Sequence, residues 1–130
     1  MELEVKIVDI HFAIKYYGSS AWKKQNAEHM EAEAWQHRVA VTLKNLGKKV
    51  TANVVATITP PKGKVIQRKG SIVLRGTYIW PLGEWHDKKN LFLGTGFNTH
   101  RKCGTWTFDI TVYPEGQETP IATRVFHETI

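Results

Sequence analysis

Gly104-Thr105-Trp106-Thr107-Phe108-Asp109-Ile110-Thr111-Val112-Tyr113 is the stretch that decides the fold. Trp106, Phe108, Ile110 and Val112 alternate with Thr105, Thr107, Asp109 and Thr111, and a strict period of two marks a strand with one dry face and one wet face. Pro114-Glu115-Gly116-Gln117-Glu118 follows as a turn. Pro120 to Thr129 then supplies a partner strand, which closes a C-terminal hairpin.

The same period runs back through the chain. Trp35, Val39, Val41 and Leu43 share one parity against Gln36, Arg38, Ala40 and Thr42. Val50, Ala52, Val54, Ala56 and Ile58 repeat it until Pro60-Pro61, because proline cannot donate to a ladder. Ile72, Leu74, Tyr78 and Trp80 read as the next strand, and Leu91, Leu93 and Phe97 as another. Near the start, Val5 and Ile7 lie on one parity and Val8, Ile10, Phe12 and Ile14 on the other. That change of phase predicts a bulge near Val8 that carries the first strand from one sheet to the other. The spacing leaves no room for βαβ crossovers, so the prediction is one all-β domain over 1–130, an antiparallel seven-stranded sandwich. One segment does not alternate. Ala21 to Ala34 is rich in helix formers, with Trp22, Ala27, Met30 and Ala34 near one face behind Ser19 or Ser20. It predicts a short helix at about 20–33 docked through Trp22 and Met30, with a loop as the alternative.

The Gly104–Tyr113 stretch, its polar turn and Ala122-Thr123-Arg124-Val125-Phe126 resemble the final hairpin of bacterial immunoglobulin-like accessory domains. The likeness covers only this C-terminal hairpin and consists of packing residues, so it implies an immunoglobulin-like sandwich and transfers no site. Such domains act mostly as binding or spacer modules. The chain lacks the cysteine pair of antibody-type domains, since Cys103 is its only cysteine.

That lone cysteine also excludes an intrachain disulfide scaffold. No run approaches the roughly 20 apolar residues of a spanning helix, so membrane insertion is not expected, although surface association stays open. Met1-Glu2-Leu3-Glu4-Val5-Lys6 interleaves charge with apolar residues and lacks the pattern of a signal peptide. The expectation is a cytoplasmic protein, or an extracytoplasmic one whose signal has been removed.

The 130 residues carry a net charge of +6, and its distribution is more informative than its size. Residues 1–46 are balanced, residues 47–103 hold eleven basic side chains against Glu84 and Asp87, and residues 104–130 hold Arg124 against four acids. Many cations are pairs beside Gly, Pro, Asn or Asp, as in Gly47-Lys48-Lys49, Pro61-Lys62-Gly63-Lys64 and Asp87-Lys88-Lys89-Asn90, which places them in turns. Strand alternation sends the loops at 45–49, 81–90 and 114–119 to one end of a sandwich, and those at 60–64 and 98–103, with the 17–32 insertion, to the other. Every later assignment swaps ends if Arg68-Lys69-Gly70 is itself a reversing turn. One end then gathers Lys62, Lys64, His100, Arg101 and Lys102 as a positive patch for an anionic partner. Turn lysines that merely keep a β protein soluble are the alternative. The other end gathers Lys48, Lys49, Lys88 and Lys89 with Trp85 and His86.

Among the five tryptophans, Trp106 and Trp35 lie on apolar parities and read as core. Trp80 and Trp85, beside Pro81-Leu82-Gly83 and His86-Asp87, are the candidates for a ligand platform of Trp80, Trp85, His86, Lys88 and Lys89. Trp85 alternatively folds back over the sandwich end. His100 and Cys103 have the spacing of half a zinc site, but Arg101 and Lys102 between them oppose a divalent ion, so no metal is expected. His11, His37 and His127 fall in strands and are expected in structural roles, and Cys103 as a small buried residue entering a strand. Gly94-Thr95-Gly96 lacks the third glycine and following helix of a phosphate loop, no nucleophile elbow is present, and Glu84 with Asp87 balances nearby lysines rather than forming a catalytic pair. No enzyme and no cofactor is expected. The expected role is an interaction module whose basic loop ends meet an acidic partner. A protein surface comes before nucleic acid, because no nucleic-acid-binding motif accompanies the charge, and an acidic polysaccharide is a further possibility. A carbohydrate-binding module using Trp80 and Trp85, and a structural subunit augmenting a neighbour through an edge strand, are the alternatives.

Overall fold

The computed structural model describes residues 2–130. Its elements are β1 (Val5–Lys15), β2 (Lys24–Ala27), β3 (Gln36–Asn45), β4 (Val50–Thr59), β5 (Ile66–Leu74), β6 (Tyr78–Trp80), β7 (Gly83–Trp85), β8 (Asp87–Phe92), β9 (Phe97–Asn98), β10 (Thr105–Pro114) and β11 (Ala122–Thr129). All pairing is antiparallel. One sheet runs β2-β1-β3-β8 with β9 also on β3, the other runs β11-β10-β4-β5, and β6 with β7 forms a separate hairpin.

Alternation places the core between the two sheets. Val39, Val41 and Leu43 of β3, Ala52, Val54, Ala56 and Ile58 of β4, and Trp106, Phe108, Ile110 and Val112 of β10 are all buried. Phe12 meets Phe108 edge-on at 5.4 Å, and Phe97 lies 5.8 Å from Trp106. Each buried Val, Leu, Ile or Phe side chain contributes about 1.5–3 kcal/mol by leaving water. Trp106 satisfies its one donor inside the core, its Nε1–H donating to the Lys102 carbonyl at 3.0 Å, so its burial carries no unpaired polar group.

Both edge strands of the β11-β10-β4-β5 sheet turn an arginine inward. Arg68 pairs in register with Ala56, and Arg124 with Ile110, which puts both side chains on the core face. The Arg124 guanidinium donates to the carbonyls of Ile7 and Val8 at 3.0 and 2.7 Å. Arg68 donates to the carbonyls of Thr95 and Gly96 at 3.0 and 3.1 Å. Each thus clasps its edge strand to the facing sheet, and an inward-pointing charge discourages further strands from adding there.

Several expectations are corrected. No helix forms among the described residues, and the 20–33 segment instead contributes β2, which pairs with β1 at Phe12 and Ile14. An isolated helix of that length is marginal, whereas pairing satisfies backbone groups along β1. Met30 and Ala34 are nonetheless buried, and the Trp22 ring occupies the space beside Gly96, where a Cβ would lie 2.6 Å from Cη2. The register of β1 does shift between Ile7 and Asp9, but β1 stays paired with β3 from Val5 to Lys15 and does not change sheets. The strand expected through Ile72 to Trp80 breaks after Leu74, and the one expected through Leu91 to Phe97 divides into β8 and β9. Gly94 supplies that second break with a φ of 60°, a conformation glycine adopts without penalty. Lys88 and Lys89 lie in β8 rather than in a turn. Cys103 is exposed, not buried.

Residues 68–70 lie within β5, paired straight through with β4. The loops therefore divide as the alternation requires, with 46–49, 75–86 and 115–121 at one end and 16–35, 60–65 and 93–104 at the other. No helix among the described residues is long and apolar enough to cross a membrane.

Candidate functional site

The end formed by 16–35, 60–65 and 93–104 is organised around His37, which is fully buried. Its Nε2 accepts the backbone N–H of Glu31 at 3.0 Å, so the ring proton sits on Nδ1 and is donated to Thr99 Oγ1 at 2.6 Å. Burial holds the imidazole neutral and lowers its pKa to about 4, opposed in part by the Glu31 carboxylate. One ring thereby bolts the 28–35 segment to the 93–104 loop. A hydrogen bond from Thr99 N–H to the Trp35 carbonyl at 3.1 Å adds a second tie.

The surface above this bolt is aromatic and cationic. Tyr17 lies 4.8 Å from Trp35, and Trp35 lies 4.6 Å from the His100 ring at 32°. With Arg101 these side chains line an open cleft of about 540 Å³. Tyr17 is 78% exposed. Trp35 is therefore corrected from core to cleft wall: it precedes β3, where the strand has run past the cover of the facing sheet, and it is only half-buried. Arg101 is the only non-glycine residue with positive φ among those described, at 59°. Asn98 Oδ1 accepts the His100 N–H at 2.9 Å and Lys102 N–H donates to the Thr99 carbonyl at 3.2 Å, a turn that forces this geometry. Left-handed backbone in a residue with a side chain costs about 1–2 kcal/mol.

Lys62 and Lys64 are exposed in the neighbouring 60–65 loop, which touches the 93–104 loop where Pro61 packs on Gly104. Lys62, Lys64, His100, Arg101 and Lys102 are thus gathered at one end. None of these five is in an ion pair among the described residues. The nearby Glu31 is occupied by Tyr16 and Lys24. The hydrogen bond from Lys24, then that from Tyr16, holds its carboxyl below the ordinary range. Tyr17 and Trp35 were the residues that sequence reasoning missed. Their only signal was position, an aromatic pair on either side of the insertion.

At the opposite end, two buried polar side chains fix the base of the β6–β7 hairpin. Asn45 donates to the carbonyls of Lys48 and Arg75 at 2.9 Å each and accepts the Gly47 N–H at 3.0 Å. Asp87 accepts the Arg75 N–H at 2.6 Å and lies 3.5 Å from Lys89 Nζ, while Lys89 itself donates to the Val73 carbonyl at 3.0 Å. Lys89 is thereby committed to structure and Lys88 stays exposed. Glu84 and Asp87 do not form a pair, because Glu84 turns to His86 at 3.4 Å.

The hairpin carries Tyr78, Trp80 and Trp85 on one face, by its register of Tyr78 opposite Trp85 and Trp80 opposite Gly83. Arg75, Tyr78, Ile79, Trp80 and Trp85 line a second open cleft of about 600 Å³. Its rings do not share a plane. Tyr78 stands at 85° to Trp80, and Arg75 covers the Trp85 ring at 4.7 Å. Trp80 is exposed and Trp85 half-buried, so the two tryptophans do not present one continuous flat surface. Among the described residues, no three His, Cys, Asp or Glu side chains are grouped to hold a metal ion. In comparison with known proteins, the chain matches no family model and no curated protein.

Proposed function

We propose that this chain is a non-enzymatic immunoglobulin-like β-sandwich that binds an acidic protein surface through the end bearing Tyr17, Trp35, His100, Arg101, Lys62, Lys64 and Lys102. For the fold, the reading takes the seven longer strands as the framework, β1, β3 and β8 facing β5, β4, β10 and β11, with β2, β6, β7 and β9 as additions. For the function, the supporting observation is the set of cations without carboxylate partners beside a half-exposed aromatic stack. Arginine and aromatic side chains dominate the energetics of protein contacts. The turn that holds Arg101 in left-handed backbone leaves its side chain exposed beside this stack. The cations steer an acidic partner and set the salt dependence, and the Tyr17–Trp35–His100 stack supplies the apolar contact that electrostatics alone lacks.

The test is calorimetric titration with a glutamate-rich peptide, an oligonucleotide and a uronic-acid oligosaccharide at low and high salt. The peptide is expected to bind most tightly, with affinity falling steeply as salt rises. Arg101→Ala is expected to weaken it about tenfold. Binding unchanged by salt, or unchanged in Arg101→Ala, refutes the proposal, and tighter binding of the oligonucleotide or oligosaccharide replaces the partner class.

A further inference from the structure

The β6–β7 hairpin exposes apolar side chains at its turn and on the strand residues next to it. Leu82 in its turn is 102% exposed, Ile79 82% and Trp80 59%, and Pro81 beside them is exposed too. Between Tyr78 and Gly83 every residue is apolar or aromatic. Among the described residues the hairpin pairs with no other strand, and its tip stays exposed while Arg75 covers Trp85 at its base. Soluble domains rarely leave such a patch open without a partner for it.

We infer that this hairpin is a membrane-surface anchor, its tip entering the interfacial region of a phospholipid bilayer. The arrangement is layered along the hairpin. Leu82 and Pro81 form the tip, with Trp80 and Ile79 behind them. Tyr78 and Trp85 lie one rung further back, with a phenol and an indole suited to the headgroup level. Arg75 follows, stacked on Trp85. Lys48 and Lys49 lie in the turn that meets the hairpin's base, where Thr77 N–H donates to the Gly47 carbonyl at 2.9 Å. Two rungs of antiparallel ladder span about 7 Å, within the roughly 5–10 Å to which interfacial segments sink.

Three observations favour lipid over the other occupants. A turn of Pro81 and Leu82 flanked by Trp80 on one face and Ile79 on the other suits an isotropic apolar phase, whereas a protein pocket is read by one face with a polar rim. A second copy is disfavoured because the exposed apolar tip, Ile79, Trp80, Pro81 and Leu82, is small beside the roughly 20–30 residues a side of a stable interface. The one carboxylate on the hairpin, Glu84, turns back toward His86 and away from the tip. The cations at the base complement anionic headgroups.

The experiment is co-flotation of the intact chain with vesicles of phosphatidylcholine alone and of phosphatidylcholine with phosphatidylserine, with tryptophan emission recorded. The chain is expected to float with both, more strongly with the anionic vesicles, and its emission to shift to the blue. Trp80→Phe removes most of the shift. Leu82→Asp lowers partitioning by at least about tenfold, and circular dichroism of this fully exposed variant stays that of the parent. Failure of the parent chain to float with either vesicle overturns the inference, as does flotation unchanged in Leu82→Asp. A parent dimer in light scattering that Leu82→Asp dissociates also overturns it, in favour of a second copy. Because the opposite end does not enter, Arg101→Ala should float like the parent, which separates failure here from failure of the acidic-partner proposal.

Discussion

Acidification should destabilise this protein through His37. The ring is inaccessible to solvent, and its pKa is about 4 in the fold against 6.5 for an unburied imidazole. Because the unfolded chain takes up this proton more readily, stability attributable to His37 is whole above about pH 6.5 and is lost as pH falls toward about 4. At about 1.4 kcal/mol per pH unit the full loss is about 3 kcal/mol, of which about 2 is gone by pH 5. Burial lowers the His11 pKa as well, so a pH scan of the parent alone mixes the two. His37→Gln isolates the effect, because its amide offers one donor to Thr99 and one acceptor to the Glu31 N–H in place of the neutral ring. Denaturant unfolding of both proteins between neutral pH and about pH 4.5 should show the stability difference narrowing or reversing by about 2 kcal/mol in favour of the variant. Parallel stability curves, or a folded-state His37 resonance titrating near the ordinary value, would refute the reasoning. Since His37 bolts Glu31 to Thr99, the same titration should loosen the Tyr17–Trp35–His100–Arg101 cleft before the sheets separate, visible as earlier amide exchange in 93–104.

Three further outcomes follow from individual contacts. Arg101→Gly relieves the left-handed backbone and should raise stability by about 0.5–1 kcal/mol, net of the extra freedom glycine gives the unfolded chain; thermal unfolding checks this, and an unchanged or lower midpoint contradicts it. Arg124→Leu removes the two hydrogen bonds to the Ile7 and Val8 carbonyls and should cost about 1–3 kcal/mol, with concentration-dependent association in light scattering as the β11 edge loses its inward charge. Gly96→Ala drives a methyl into the Trp22 ring and should cost about 1–3 kcal/mol, with a red shift in tryptophan emission as the indole is displaced.

Legibility differs between the sheets and the surfaces. The alternation in 104–113 and 50–58 identified β10 and β4 almost to the residue, and Pro60-Pro61 marked the stop of β4 because a missing donor is a local fact. The inserted segment was misread because its composition favours a helix, while the free upper edge of β1 offered backbone partners that composition cannot reveal. Of the basic patch, the gathering of Lys62, Lys64, His100, Arg101 and Lys102 was legible from strand count. The platform of Trp80 and Trp85 was legible as exposure but not as shape, since the T-shaped placement of Tyr78 and the stacking of Arg75 depend on the anchoring of residue 75 by Asn45 and Asp87.

By itself the sequence determined an all-β chain, the faces of its main strands and the ends to which its loops go, because a period of two and the positions of proline and glycine act within a few residues. Only the tertiary structure decided which members of the same pattern are core. Trp106 and Trp35 sit on equivalent parities, yet the first lies under the opposite sheet and the second beyond its rim. Only it decided, too, that Arg68 and Arg124 are clasps while Arg101 is free, because a guanidinium's role is set by carbonyls that lie about 30 to more than 100 residues away in sequence and come within reach only when the sheets close.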